Sequence, residues 1–310
     1  MTTKEKLKKY QDWLFKCSAY QMALNIIGID KQTVAPSAGA AYRDERSAYL
    51  AGELFSLETD KEIVELLKDL KDDPEVNDED RRAIELYYKK ALDTVCIPKE
   101  EFVAFKKLCD ESFDAWILAK SKADYSIFEP YLKKVIESQK RLYGYRSSDK
   151  SIYNQMLDDY EPGMDEEKYD AFFNALKERL VPLIGKVTKA KQINEDFLHQ
   201  SFPIEEQKKF MDDLLKYVHF DSSWGYQNES EHPFTSWTCE NDCRTTTKYI
   251  ENNVASAILS TVHEVGHAYY EHNIDPKYDG MILSEGVSSG MHESQSRLCE
   301  NYLGRTMAFW

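Results

Sequence analysis

Helical periodicity repeats along this chain from its start to about residue 219 with little to interrupt it, and that excludes most alternatives to an α fold. Leu7, Tyr10, Leu14, Cys17 and Tyr20 are spaced three and four apart, which on a helix over residues 4–27 makes one apolar stripe. Similar runs cover residues 42–70 (punctuated near 58–60), 79–95, 99–122, 126–146, 165–191 and 203–219. Asp78, Pro98 and Ser126 are start signals for three of them. Pro162 and Gly163 end the run before them, and Pro182 predicts a break or kink. Residues 29–41, with Pro36 and Gly39, read as a connection. The 310 residues hold 12 glycines and 9 prolines, little more than half the usual share of roughly 12%. A turn-rich sandwich or barrel is therefore excluded.

The character changes after Phe220. Residues 232–249 place Thr, Trp, Phe and Tyr on either side of a polar Glu240–Asn241–Asp242 centre, the pattern of a short hairpin. Helical stretches over 253–272 and 284–308 follow. The expected fold is mainly α, with one small β-hairpin beside the later helices. The expected division is a helical region over 1–220 and a hairpin-plus-helices region over 221–310, with a single domain as the alternative.

Charge narrows the partners. With 40 Lys+Arg against 55 Asp+Glu, the net charge of −15 repels nucleic acid and acidic membrane surfaces. No apolar run approaches the ~20 residues needed to cross a bilayer. The first fifteen residues are charged and amphipathic and do not read as a secretory signal. The six cysteines are mostly scattered, and Cys239 and Cys243, four apart, have no second pair to complete a zinc cage. A soluble cytoplasmic protein with free thiols is the expectation.

Five of the seven histidines (His232, His263, His267, His272 and His292) lie between residues 232 and 292. Residues 263–267 read HEVGH, a HExxH match inside a helical run. Residues at i and i+4 share one helix face, so the imidazoles of His263 and His267 can reach one zinc ion. Glu264 is rotated about 100° from His263, beside the metal, where it can take a proton from an attacking water and hand it to a leaving amine. The plain alternative is two exposed helical histidines. A catalytic zinc needs a third protein ligand. Tyr270 and Asn273 exclude the HExxHxxGxxH solution, and Glu271 is ~12 Å of helical rise from His263. The third ligand therefore belongs to another segment. Glu293, on the next expected helix, is the first candidate and Glu285 the second. An ordinary ion pair with Arg297 is the competing role for Glu293. Gly266 and Gly290 are small enough to let the two helices approach closely.

The motifs run in an order that resembles the carboxypeptidase Taq family of zinc-dependent metallocarboxypeptidases. His232–Pro233–Phe234 matches the HPF motif, Asp242 to Thr246 the DxRxT motif, His263 to His267 the HExxH motif, and His292 to Gln295 the HES/GQ motif. The flanks LDDYEPGM (157–164) and SRLCENYLGR (296–305) are similar too. The resemblance implies a helical metallopeptidase fold. It also implies metal binding by His263, His267 and Glu293, with Glu264 as general acid/base. The implied metal is Zn2+, with Co2+ or another divalent ion as alternatives. The implied activity is removal of C-terminal residues from peptides with broad specificity, by a homodimer. The family's I/VRxxAD and GxxQDxHW motifs, expected to close the cleft and to supply groups for the substrate carboxylate and oxyanion, do not occur in this sequence. The expectation is a chain truncated at its C-terminal side relative to the family. The alternatives are an oligoendopeptidase-type zinc peptidase, or an inactive helical module that keeps the metal site.

Three residues are candidate substrate contacts. Arg244 is one of five Lys+Arg among residues 226–310, against twelve Asp+Glu. Its guanidinium suits a carboxylate, and an internal pair with Asp242 is the competing role. His232, biased to an extended backbone by Pro233, would face the peptide or cap the hairpin. His292 would act on substrate, behind the metal ligands, or in helix packing. An edge of the hairpin could also take an extended peptide by strand addition. His272 lies off the metal face, and Tyr269 and Tyr270 read as core or cleft wall.

Overall fold

Eleven helices and one small sheet make up the computed structural model, which describes residues 1–310. The first six helices are α1 (Thr3–Thr33), α2 (Ala40–Glu58), α3 (Lys61–Lys71), α4 (Asp78–Thr94), α5 (Lys99–Lys122) and α6 (Glu129–Gly144). Their starts follow local chemistry. Thr2 forms a capping box with Glu5, and the side chains of Asp60 and Asn77 accept the first free N–H groups of α3 and α4. Helix α1 runs through residues expected to form a connection, because Pro36 and Gly39 stop it only after Thr33.

The chain forms two compact units, each discontinuous in sequence. The first comprises Met1–Ser147, Ser236–Cys243 and Glu271–Glu285. Helix α1 packs on α2 and α3, α2 on α5, α3 on α4, and α5 on α6. Tyr10, Trp13 and Leu14 of α1, Leu67 and Leu70 of α3 and Ile84 of α4 are buried in its core. Lys31 is also buried there, 2.9 Å from Asp44 and 3.2 Å from Asp110.

The second unit comprises Ser148–Thr235, Arg244–Tyr270 and Gly286–Trp310. Its helices are α7 (Ile152–Tyr160), α8 (Glu166–Val187), α9 (Ile204–Tyr217), most of α10 (Val254–His272) and α11 (Ser289–Arg297). Pro182 stands inside α8, which continues past it. Met211 and Leu214 of α9 are buried against Ala257, Ile258 and Val262 of α10. The change of character at residue 220 thus marks where helices give way to strands, whereas the compact units divide elsewhere.

The strands are β1 (Gly225–Glu229), β2 (Thr235–Cys239) and β3 (Asp242–Thr247), in the order β1–β3–β2. The expected hairpin is β2–β3, and β1 adds a third strand that the sequence pattern did not reveal. Its residues, GYQNE, carry no apolar alternation to betray a strand. The expected helix over 284–308 is shorter. Ser288 caps α11 through its side chain, and the chain then widens into a π turn over Leu298–Leu303. No helix is long and apolar enough to cross a membrane.

Candidate metal centre

Helix α10 is buried on the face that carries Val262, Val265 and Ala268. His263 and His267 therefore leave the core on a neighbouring face, one turn apart. Gly266 decides how near the next helix can come. A Cβ there would lie 2.7 Å from the Cα of Ser296 and 2.8 Å from the carbonyl oxygen of Gln295, so only glycine lets α11 approach this closely. Gly290 has a different role. Its N–H donates to Glu161 at 3.0 Å, and that carboxylate fills the space a Cβ would need.

The close approach brings Glu293 of α11 to the two imidazoles. Its Oε2 is 3.5 Å from His263 Nε2 and 3.4 Å from His267 Nε2. One ligand atom from each residue lies within 4.8 Å of the others. A tetrahedral zinc site with bonds of about 2.0–2.1 Å places its donors about 3.3–3.4 Å apart, so the two imidazole–carboxylate spacings and the donor chemistry fit such an ion. The Arg297 pair does not compete with this arrangement. Arg297 Nε donates to Glu293 Oε1 at 2.8 Å, which leaves Oε2 to face the imidazoles. Burial works against the charge of Glu293, but hydrogen bonds from Ser296 and Arg297 outweigh it and hold the carboxyl below its ordinary range. Burial, with the nearby charges of His292 and His263, pushes His267 down to about 4, which keeps its ring neutral and its lone pair available near pH 7.

Glu264 is buried beside this group. Its Oε2 accepts a hydrogen bond from Thr235 Oγ1 at 2.7 Å. Burial pushes its carboxyl up, against the opposing influence of Thr235, His263 and His232. That is the setting of a carboxylate that can hold a proton and release it. His232, Glu264 and His263 line one cavity of about 350 Å³, together with Glu300 and Arg305. The backbone of residues 232–234 is fixed by the sheet: Phe234 N–H donates to Thr246 Oγ1 at 2.9 Å, and Thr246 N–H to Phe234 O at 2.8 Å. The HPF and DxRxT segments are thus two sides of one ladder.

His292 lies against His267, with their Nδ1 atoms 2.6 Å apart. Arg244 is half-buried on β3 and does not line the cavity that holds Glu264. Glu285, the second candidate for third ligand, belongs to the first unit, where burial raises its pKa against the influence of Lys90. His272 Nδ1 donates to the carbonyl oxygen of Glu240, 2.7 Å away. All six cysteines are free. Thr235 and Glu300 were not anticipated. Glu300 could have been suspected from its position seven residues after Glu293 on one helical face, whereas nothing local links Thr235 to a glutamate 29 positions later.

A helical framework that brings a HExxH pair to a carboxylate on a second helix is the arrangement of a metallopeptidase. The model of the carboxypeptidase Taq (M32) metallopeptidase family matches residues 9–310, and the chain belongs to that family. A divalent metal cofactor is implied by that membership. The chain is similar to carboxypeptidase 1 of Bacillus subtilis (strain 168), 36% identical over 307 residues that cover 98% of this chain and 61% of the relative. It is 31% identical to thermostable carboxypeptidase 1 of Thermus thermophilus, covering 94% of this chain and 60% of that one. Among solved structures, BsuCP superposes with a TM-score of 0.96 at 35% identity, covering 99% of this chain and 62% of that one. The M32 carboxypeptidase of Deinococcus radiodurans R1 superposes at 0.88 and 29% identity, covering 99% and 62%. The chain spans about three-fifths of the length of these relatives.

Proposed function

We propose that this chain carries the metal centre of a zinc-dependent carboxypeptidase that removes single residues from peptide C-termini with broad specificity. The observation that supports this most directly is the single Glu293 oxygen at 3.5 and 3.4 Å from two imidazole nitrogens, beside a buried Glu264. His263, His267 and Glu293 would hold the ion, with Zn2+ the first choice for a two-imidazole, one-carboxylate set and Co2+ an acceptable substitute. When bound, such an ion polarises a scissile carbonyl and makes water acidic enough to attack near neutral pH. Glu264 takes the proton from the attacking water and delivers it to the departing amine, while Thr235 holds its carboxylate in one orientation.

His232, on the wall of the Glu264 cavity, would contact the peptide near the bond that breaks. Arg244 offers a guanidinium suited to a terminal carboxylate. His292 supports His267 from behind and is the weaker substrate contact of the three. The edge strand β2 could take extended peptide, except at Trp237, whose carbonyl already accepts from Asn25 at 3.0 Å. The free thiols fit a cytoplasmic location, and the homodimer is carried by family resemblance.

The test is product analysis on peptides with free and amidated C-termini, with zinc content measured on the same sample. Release of single C-terminal residues from free peptides alone, lost in Glu264→Gln with zinc retained, is the expected outcome. Internal cleavage of both substrates would favour an endopeptidase. Bound zinc with no metal-dependent hydrolysis would favour a binding module.

A further inference from the structure

We infer that Glu300 is the positioning residue that fixes the tautomer of His263, and that the π turn after α11 exists to deliver it. The inference rests on the metal-centre reading for its purpose, but its physical content concerns the protein without metal. Glu300 Oε2 lies 3.0 Å from His263 Nδ1. The same carboxylate is gripped by two arginines: Arg305 Nη2 donates to Oε1 at 2.6 Å, and Arg297 Nη1 to Oε2 at 3.0 Å. Its side chain is only 10% exposed, so these contacts are not the casual pairs of a solvated surface.

A carboxylate held by two guanidiniums is ionised and can only accept hydrogen bonds. The hydrogen between Glu300 and His263 must therefore sit on Nδ1. In the neutral ring that leaves the lone pair on Nε2, the atom that faces Glu293. A free imidazole would divide its population between two tautomers and rotate; this one is confined to the form that can bind a cation. His267 is supported differently. Its Nδ1 lies 2.6 Å from the Nδ1 of His292, a second imidazole that can donate or accept there. The two imidazoles therefore share a function but differ in how firmly each is fixed.

The backbone explains how Glu300 arrives there. Gly304 N–H donates to the carbonyl of Cys299 at 2.8 Å, an i to i+5 bond that widens the helix by one residue. Such π turns are rare and concentrate at functional sites. Arg297, at the end of α11, then reaches both Glu293 and Glu300. One helix thus supplies a carboxylate facing Nε2, a carboxylate holding Nδ1, and a cation that keeps both ionised.

The experiment is ¹⁵N NMR of the histidine side chains in the metal-free full chain, with His263 assigned by His263→Gln. The wild type is expected to show His263 protonated at Nδ1, and Glu300→Ala to show a mixed or Nε2-protonated ring. Glu300→Gln can still accept through its amide oxygen and is expected to keep Nδ1 protonation, a rescue that mere packing would not predict. In parallel, zinc affinity by chelator competition should fall about 10–100-fold in Glu300→Ala. An unchanged His263 tautomer in Glu300→Ala overturns the inference, even if zinc binds. A wild type that shows the tautomer but binds no zinc would overturn the metal reading and leave this one standing. Should Glu300→Ala fail to fold, Arg305→Met with Arg297→Met, which frees the carboxylate without removing it, must weaken the Nδ1 preference, and no change there is equally fatal.

Discussion

Substituting Gly266 by alanine tests the helix contact on which the proposed site depends. The new methyl would stand 2.7 Å from the Cα of Ser296 and 2.8 Å from the Gln295 carbonyl, where ordinary contacts begin at 3.4 Å. Both obstructing atoms are backbone, so no side chain can swing aside, and α11 must retreat by about 0.7 Å. Overpacking of this kind costs about 1–3 kcal/mol, while replacing glycine by alanine inside a helix returns about 1 kcal/mol. The net loss in folding stability is therefore modest, about 0–2 kcal/mol. The effect on metal binding is larger in proportion, because Glu293 rides on the displaced helix. A shift of that size takes its Oε2 from 3.4–3.5 Å to beyond 4 Å from the imidazoles, outside the reach of one tetrahedral ion. Zinc affinity should drop by about 10–100-fold, by analogy with the loss of a group that orients a ligand. Urea denaturation without metal and zinc titration against a chromogenic chelator would measure the two effects separately. A Gly266→Ala protein that binds zinc as tightly as the wild type would refute the reasoning, because it would mean that Glu293 is not held to the imidazoles by this contact.

Three further outcomes follow from named contacts. Thr235→Val removes the hydroxyl that favours the ionised form of Glu264, so that carboxyl should rise further, and the acid limb of the pH–kcat/KM profile should move to higher pH. An unmoved limb would separate Glu264 from the proton transfer. Lys31→Met leaves Asp44 buried without its cation and should cost about 3–5 kcal/mol in denaturant stability, with Asp44→Asn recovering part of it in the double variant. Asp279 is held up to about 6 by burial and by the neighbouring Glu240 carboxylate. A raised carboxyl favours folding below its unfolded value near 3.8 and loses that contribution as pH rises through about 6. Asp279→Asn should therefore gain stability relative to the wild type between pH 4 and 7, measured as the difference in Tm; a pH-independent difference would be evidence against the pairing.

Much of the fold was written locally. The boundaries of α5 at Lys99 and Lys122 and the break between α2 and α3 follow from caps and periodicity, both interactions within a few residues. The i, i+4 spacing of His263 and His267 likewise needs nothing but helical geometry. Spacing alone left Glu293 and Glu285 both open as the third group, and family resemblance preferred the first. That Glu293 stands at the imidazoles while Glu285 belongs to another unit is a matter of how distant segments pack, and a sequence contains no distance between helices.

Strand β1 and Thr235 were illegible for the same reason, and for Glu300 the helical spacing from Glu293 hints at a shared face without naming its partner. A polar strand is recognised by the neighbour it pairs with, and an orienting hydrogen bond by the atom it meets. The sequence by itself determined most of the helices, the hairpin and the pair of imidazoles, because each arises from contacts between residues close along the chain. The tertiary structure alone decided which carboxylate joins that pair, which one steadies it, and how near α11 comes, because those depend on a single missing methyl at Gly266 and on contacts made across tens of residues.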